Sequence, residues 1–552
     1  MTDMILILTQ VLRVLSPVFI GAVVIWCAVS LLREKKLDYI YATLVDEGSG
    51  ICFPVRYLEC SLGRSASCDI LLELPTVSRV EAVLRHTKEG FRVFRLGKGE
   101  IAIGGKPVRA SGLLKDGDTL TVGGLSFSFS INDRVETGVV AKRRGSFLML
   151  LLLSVYELLT GYVAIAGVKE ELVPSCAMAV LLLVLSQWGY FLYAKLKMHQ
   201  IGLEFEIGAF TLCGIGICNL ITAGGSGVIT QMVAYLIGLV GYCVVLWFCG
   251  DTDRTTKYRY LASAAALVLF ALNLALGSVR GGSKNWIVIG SFQFQPSELV
   301  KMLFIFAGAA TLERLLSNRN LLLFLVFSTA CIGSLFLMGD FGTAVIFFVT
   351  FMVIAYMRSG DIRAIALILA VAVLGALLII NFKPYIVNRF ETWGHAFDFA
   401  DDRGYQQSRT LVAVASGGLI GTGIGVGRLR YVVASTTDLV FGMVAEQWGM
   451  IVGVLILSFF AVLCCYAIKM RKGAKSAFYA ITACASAALL LFQATLNTFG
   501  ALDVLPFTGV TLPFISRGGS SMISSFALLA FIKTLSPSLY SKRRRVAHEN
   551  DL

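Results

Sequence analysis

Apolar runs of about 20 residues, the length needed to cross ~30 Å of hydrocarbon, recur along this 552-residue chain and constrain its fold more than any other feature. They begin near Val14, Phe147, Leu172, Ile207, Val228, Leu261, Leu303, Leu321, Thr343, Ile365, Leu439, Phe478 and Ser516, about thirteen candidate spans. Lipid offers no water to backbone N–H and C=O groups, so each run must close its hydrogen bonds within itself, as a helix. The expectation is a polytopic α-helical membrane protein. A composition of 57% hydrophobic and 15% charged residues agrees, as does a mean hydropathy of +0.77.

Basic residues sort onto alternate connections. The first run, Val14 to Leu32, is followed at once by Arg33, Lys35 and Lys36, with only Arg13 before it. Its C-terminal end is therefore read as cytoplasmic. It lacks the basic n-region and small-residue cleavage site of a signal peptide, which points to a retained anchor with its N-terminus outside. Further clusters at Lys142 to Arg144, Lys195 and Lys197, Arg254 to Arg259, Arg314 and Arg319, Arg358 and Arg363, Lys469 to Lys475, and Lys542 to Arg545 fall on the same side as the spans are counted off. The net charge of +13 thus follows from orientation and anionic lipid, and calls for no nucleic-acid partner. Most of the thirteen cysteines lie inside apolar runs and read as small apolar filler. Cys52, Cys60 and Cys68 fall in a cytoplasmic stretch, where a reducing environment argues against pairing.

The chain divides accordingly into an anchor (1–35), a charged stretch without a span (36–133), a linker with two helices (134–204), a helical core (205–540) and a basic tail (541–552). In the charged stretch, short β-rich runs at Ile51 to Tyr57, Asp69 to Leu74, Gly90 to Arg95 and Thr119 to Ser130 alternate with Gly, Ser and Asp turns, the pattern of a β-sandwich. Its segments "LGRSASCDILLELPTVSRVEAVL" and "GGKPVRASGLLKDGDTLTVGG" resemble a forkhead-associated (FHA) domain. The resemblance implies phosphothreonine binding by a phosphorylated protein partner, with Arg64 and Ser78 at the phosphate-contacting positions and Arg79 beside them. A guanidinium fork with a hydroxyl suits that geometry. Two departures are Glu81, where the family has a histidine bracing the serine loop, and Gly104, where it has an asparagine. Glu81 reads as an added negative charge near the phosphate, and the alternative is a sandwich that docks a partner without phosphate.

In the core, Pro296, Ser297 and Glu298 suit the first turn of a helix, and Glu298 and Lys301 share one of its faces. Such a pair either positions the helix at the interface or lines a functional cavity, and ionisable groups inside membranes favour the cavity. The surrounding "GGSKNWIVIGSFQFQPSELVK" resembles the signature loop of the SEDS family of bacterial cell-wall synthases, the group of FtsW, RodA and SpoVE. "GDFGTAV", "GYQQSRTLVAVASGGLIGTGIGVG", "TTDLVFGMVAEQWGMIVG" and "LPFTGVTLPFISRGGSS" follow in the family's order. Asn285, Gln447, Thr511 and Arg517 depart from the family's usual residues, and the two helices near Phe147 and Leu172 are additional to its core of ten spans.

The resemblance implies a peptidoglycan glycosyltransferase that polymerises lipid II in division, elongation or sporulation, paired with a class B penicillin-binding protein transpeptidase. It places Trp286, Glu298, Lys301, Arg403, Tyr405, Gln406, Glu446, Ser516 and Ser520 at the substrate. Glycosyl transfer needs a base, and the pyrophosphate leaving group needs cations or a divalent metal, Mg or Mn. The loop of about 55 residues between Phe382 and Leu439 supplies Asp398, Asp401 and Asp402, with Arg389, Arg403, Arg409, Arg428 and Arg430. The family's catalytic aspartate stands six residues before the tyrosine of the G-Y-Q motif. Counting back from Tyr405 reaches Phe399, so a one-residue gap selects Asp398, with Asp402 its rival. A lipid-precursor flippase built on Glu298, Lys301 and Glu446, and a membrane sensor reading kinase signals, are the other two functions these features allow.

Overall fold

The computed structural model describes residues 2–34, 40–56, 59–65, 68–87, 89–131, 145–198, 202–250, 252–280, 282–289, 292–312, 318–359, 384–474 and 476–536, with a few positions between 363 and 370. Helix α1 (Thr2–Arg33) leads into eleven strands. One sheet holds six of them in the order β2 (Cys52–Val55), β1 (Ala42–Asp46), β11 (Leu125–Ile131), β10 (Thr119–Val122), β7 (Ile101–Ile103) and β8 (Lys106–Pro107). The other holds β4 (Ile70–Leu71), β3 (Glu59–Gly63), β5 (Ala82–Thr87), β6 (Gly90–Arg95) and β9 (Ser111–Leu114). Alternation along the strands turns Leu44, Leu62, Leu84, Val93, Leu120, Phe127 and Phe129 into a shared core. The expected sandwich is thus present, inserted between two helices.

The helical part follows as α2 (Ser146–Ile165), α3 (Val173–Leu196), α4 (Glu204–Thr222), α5 (Val228–Phe248), α6 (Thr252–Lys257), α7 (Arg259–Leu276), a small sheet of β12 (Ser278–Arg280), β13 (Ser283–Ile289) and β14 (Phe292–Phe294), then α8 (Pro296–Leu312), α9 (Asn318–Met338) and α10 (Phe341–Ser359). After these come α11 (Pro384–Thr392), α12 (Tyr405–Gly417), α13 (Val440–Trp448), α14 (Met450–Met470), α15 (Ala477–Ala501) and α16 (Gly519–Lys533). Among the described residues nine helices are long and apolar enough to cross a membrane, while α9 and α16 are shorter apolar helices. The run near Ile365 lies largely outside the described residues.

The run beginning near Leu439 is two helices rather than one, and Gly449 is the reason. Its φ of +90° belongs to the left-handed region, and a Cβ there would stand 2.2 Å from the Leu419 carbonyl oxygen. Helices α4 and α15 are the most enclosed, with 89% and 72% of their apolar windows buried. The additional helices pack directly on the core: α1 against α14 and α4, α2 against α4, and α3 against α5. Buried polar ties fasten them. The Ser30 hydroxyl donates to Glu204 Oε1 at 2.6 Å and Tyr190 of α3 donates to Glu206 Oε1 at 2.8 Å, while within the core Lys533 of α16 pairs with Glu206 Oε2 at 3.1 Å.

Candidate functional site

Connections far apart in sequence converge at one end of the bundle. The small sheet β12–β14, the 339–340 turn, α11, the turn before α13, and residues 505–511 surround a cavity of about 350 Å3. Its lining carries Glu298, Lys301, Asp340, Arg389 and Asp438 beside Trp286, Phe390 and Phe507. On its helical side the i, i+3 pair forms: Lys301 Nζ stands 2.8 Å from Glu298 Oε1 and 2.9 Å from Gln493 Oε1. Ser524 donates to Glu298 Oε2 at 2.8 Å, so α8, α15 and α16 meet on one buried ion pair. Residues 3% and 2% exposed require such mutual satisfaction.

At the loop side, Asp340 caps α10 by accepting the Thr343 N–H at 3.0 Å, and it also accepts from the Asn285 amide. Asn285 in turn accepts from Asn273 at 3.0 Å. Arg389 Nη1 donates to the Phe507 carbonyl at 2.6 Å. Burial pushes Asp438 up to about 6, against the pull of the Arg389 charge, and burial likewise raises Asp340. Asn497 holds the Asp438 carbonyl at 2.8 Å, and Ser516 donates to the Thr437 carbonyl at 2.6 Å. Ser516 therefore ties the turn that presents Asp438. Ser520 is buried in the first turn of α16.

Three of the residues expected at the substrate, Trp286, Glu298 and Lys301, line this cavity. Others stand elsewhere. Asp398, Asp401 and Asp402 are exposed on the turns after α11. Those turns dock beside the cavity mouth, Trp393 Nε1 donating to the Val504 carbonyl at 3.1 Å and the Gly394 N–H to Asp503 Oδ2 at 3.1 Å. Arg403 pairs with Glu391 at 2.9 Å and lies 3.7 Å from Asp402. Tyr405 is exposed beneath the Arg409 guanidinium, and the Gln406 amide reaches the Val433 carbonyl at 3.4 Å. Glu446 lies outside the cavity lining, its carboxylate filled by the N–H groups of Arg428 at 2.7 Å and Leu429 at 3.0 Å. A Cβ on Gly427 would stand 2.3 Å from Glu446 Oε2, so that turn closes tightly on the acid.

Asp340 and Asp438 stand in segments that carry the family resemblance, yet neither acid is among the residues the sequence marks as functional. The available signal was a lone aspartate just before an apolar run in each segment.

In the sandwich, the Arg64 N–H donates to the Ser78 carbonyl at 3.0 Å and the Ser65 N–H to the Arg79 carbonyl at 2.9 Å, which brings the two loops together. Arg64 and Arg79 are exposed. Glu81 is 0% exposed, and its Oε2 accepts the Ser78 N–H at 2.7 Å. The charge stands beside Ser78 as expected, but the carboxylate is turned inward and braces the serine loop. Gly97 and Gly99 leave the room it needs, since a Cβ on either would come within 3 Å of it.

A bundle of apolar helices with a loop-roofed cavity at one end that carries five charged side chains, and with a β-sandwich between its first two helices, is an integral membrane protein. A family model described as "Cell cycle protein", covering FtsW, RodA and SpoVE, matches residues 206–541, and one described as "FHA domain" matches residues 60–123. The chain belongs to the FtsW/RodA/SpoVE family. It is 26% identical over 325 residues to "Peptidoglycan glycosyltransferase RodA" of Mycobacterium tuberculosis, covering 55% of this chain and 69% of that one. It is 29% identical over 323 residues to "Stage V sporulation protein E" of Bacillus subtilis, covering 56% and 87%. A solved chain from a peptidoglycan synthase complex, studied for its coordination of polymerization and crosslinking, superposes with a TM-score of 0.52 at 25% identity, covering 62% of this chain and 99% of that one.

Proposed function

We propose that the chain is a peptidoglycan glycosyltransferase that polymerises lipid II at the extracytoplasmic face, with its sandwich and C-terminus in the cytoplasm. The observation that carries this is the cavity itself, which gathers Lys301, Arg389, Asp340 and Asp438 where helix ends meet loops rather than at mid-span. A transporter places its polar groups near the midplane. Lys301 and Arg389 suit the pyrophosphate of a lipid-linked donor. Among the described residues no three acidic, His or Cys groups gather to hold a metal. Asp340 and Asp438 in the cavity wall are the carboxylates that would hold a divalent cation together with the donor's phosphates, and no step is routed through it.

The base we assign is Asp398. It is exposed on the turn packed beside the cavity mouth, where an acceptor strand arriving from outside presents its 4-hydroxyl. Loss of that proton lets the hydroxyl oxygen attack the donor's anomeric carbon as the bond to undecaprenyl pyrophosphate breaks, with inversion. A second candidate for the base, Asp438, rests on a separate observation, its place in the cavity wall with its affinity for a proton raised. A class B penicillin-binding protein is the inferred transpeptidase partner, and a phosphothreonine-bearing protein the partner of the sandwich.

Reconstitution with purified lipid II tests the assignment. Asp398→Asn should lower polymerisation about 10²–10⁴-fold. If Asp438→Asn does so and Asp398→Asn does not, the base is Asp438. If neither variant matters and the wild type moves lipid II across vesicle membranes, the chain is a flippase.

A further inference from the structure

A second cavity, of about 370 Å3, opens where the starting turns of α1 and the end of α2 meet the 424–430 turn. Its walls are apolar, from Ile5 and Leu6 of α1, Val163 and Ala164 of α2, and Ile424 and Val426 of the turn. At its margin stands Arg430. Its Nη1 donates to the carbonyls of Gly425 at 2.9 Å and Thr222 at 3.4 Å, and its Nη2 to the Tyr431 hydroxyl at 2.8 Å. All three acceptors are neutral. Its Nε is buried with no acceptor among the described residues, where the guanidinium also forms no ion pair. The guanidinium also lies 4.9 Å from the Tyr431 ring centre; a partly dehydrated cation held by dipoles and a ring face, with no counter-ion, is completed by an anion, and a guanidinium matches phosphate best.

We propose that this cavity binds one anionic phospholipid, its phosphate on Arg430 and an acyl chain between α1 and α2. Its place in the outer leaflet rests on the extracytoplasmic orientation proposed above; the site itself does not. Residues 5–9 and 163–167 are terminal turns at the same end of two apolar helices, which sets the mouth at headgroup depth. Tyr431 and Val433, 76% and 78% exposed, lie beside it, as interfacial side chains do. Apolar walls suit hydrocarbon and exclude free phosphate as the occupant. Helices α1 and α2 precede the family match at residue 206, so this lipid site belongs to the helices added to the core. The turn that carries Arg430 runs on through Ser435 to Asp438, which places the lipid next to the segment that builds the active cavity.

Native mass spectrometry of the full chain, released from nanodiscs of phosphatidylglycerol or of phosphatidylcholine, tests the site without reference to catalysis. One phosphatidylglycerol should remain bound per chain, and phosphatidylcholine should be shed. Arg430→Gln should weaken retention by about tenfold or more. Gly167→Leu, at a position where a Cβ meets nothing within 4 Å, should fill the cavity and displace the lipid while leaving Arg430 intact. Equal retention of both lipids, a polyprenyl chain in place of a diacyl lipid, or unchanged retention in both variants would each overturn the proposal. If one variant fails to fold, retention in the other decides.

Discussion

Replacing Lys301 by methionine keeps the length of its apolar stem and deletes one buried charge. Lys301 Nζ has two acceptors, Glu298 Oε1 at 2.8 Å and Gln493 Oε1 at 2.9 Å. Its loss leaves Glu298, 3% exposed, with Ser524 as the remaining side-chain donor. A carboxylate stripped of its cation at that depth costs about 3–5 kcal/mol. Glu298→Gln should cost less, because the amide oxygen still accepts from Lys301. The double variant, Glu298→Gln with Lys301→Met, buries no net charge and should regain most of the lost stability. Thermal unfolding of the purified proteins in one detergent, with lipid II polymerisation measured on the same preparations, separates packing from chemistry. All three variants should lose polymerisation, including the restabilised double variant, because the pair lines the cavity. A double variant as stable and as active as the wild type would refute this and leave the pair as a joint between α8, α15 and α16.

Burial pushes Asp438 up to about 6, so acidification through that pH neutralises it and withdraws one of the two carboxylates, with Asp340, whose charge acts on Arg389. Polymerisation should therefore fall as pH drops through about 6, and the inflection should be missing in Asp438→Asn. The same shift acts oppositely on stability: the contribution of Asp438 is fully present below its unfolded value of 3.8 and is lost as pH rises through about 6. Arg64→Ala should weaken phosphothreonine-peptide binding by about tenfold or more in titrations of the full chain, and equal affinity for the unphosphorylated peptide would leave a docking module only. Glu81→Ala removes the buried acceptor of the Ser78 N–H and should destabilise the sandwich by about 1–3 kcal/mol, read as a lower melting temperature. A membrane-impermeant thiol reagent on intact cells should label Asp398→Cys and spare Lys115→Cys, and the reverse pattern would invert the topology.

The sandwich, the helices and the Glu298–Lys301 pair were legible because each depends on residues close in sequence: period-2 alternation, long apolar runs, and two charges one helical turn apart. The cavity wall was not. Arg389 reaches Phe507, and Asn497 holds Asp438, only after loops from distant parts of the chain have closed on one another, and no local pattern encodes that. Glu446 misled for a related reason. An acid inside an apolar run reads as functional, yet this one is filled by two backbone N–H groups about eighteen residues earlier in the chain. Glu81 shows the converse case, in which chemistry that departs from the family pattern fills the same bracing place. The Gln493 amide donates to the Thr511 hydroxyl at 3.0 Å, so one departure from the pattern joins the network around the ion pair rather than breaking it.

The polar ties between the added helices and the core bear on how this protein can be dissected. The family match begins at residue 206, two residues into α4, and suggests a natural place to cut. The chain is not separable there. Cutting there would take Tyr190 from Glu206 and would bare a helix whose apolar window is 89% enclosed. It would also vacate the space beside Gly214, where the Glu157 carboxylate of α2 now lies 2.7 Å from an added Cβ. The border of the family match is thus no border of packing, and expression of residues 206–541 by themselves should yield aggregate rather than a minimal synthase.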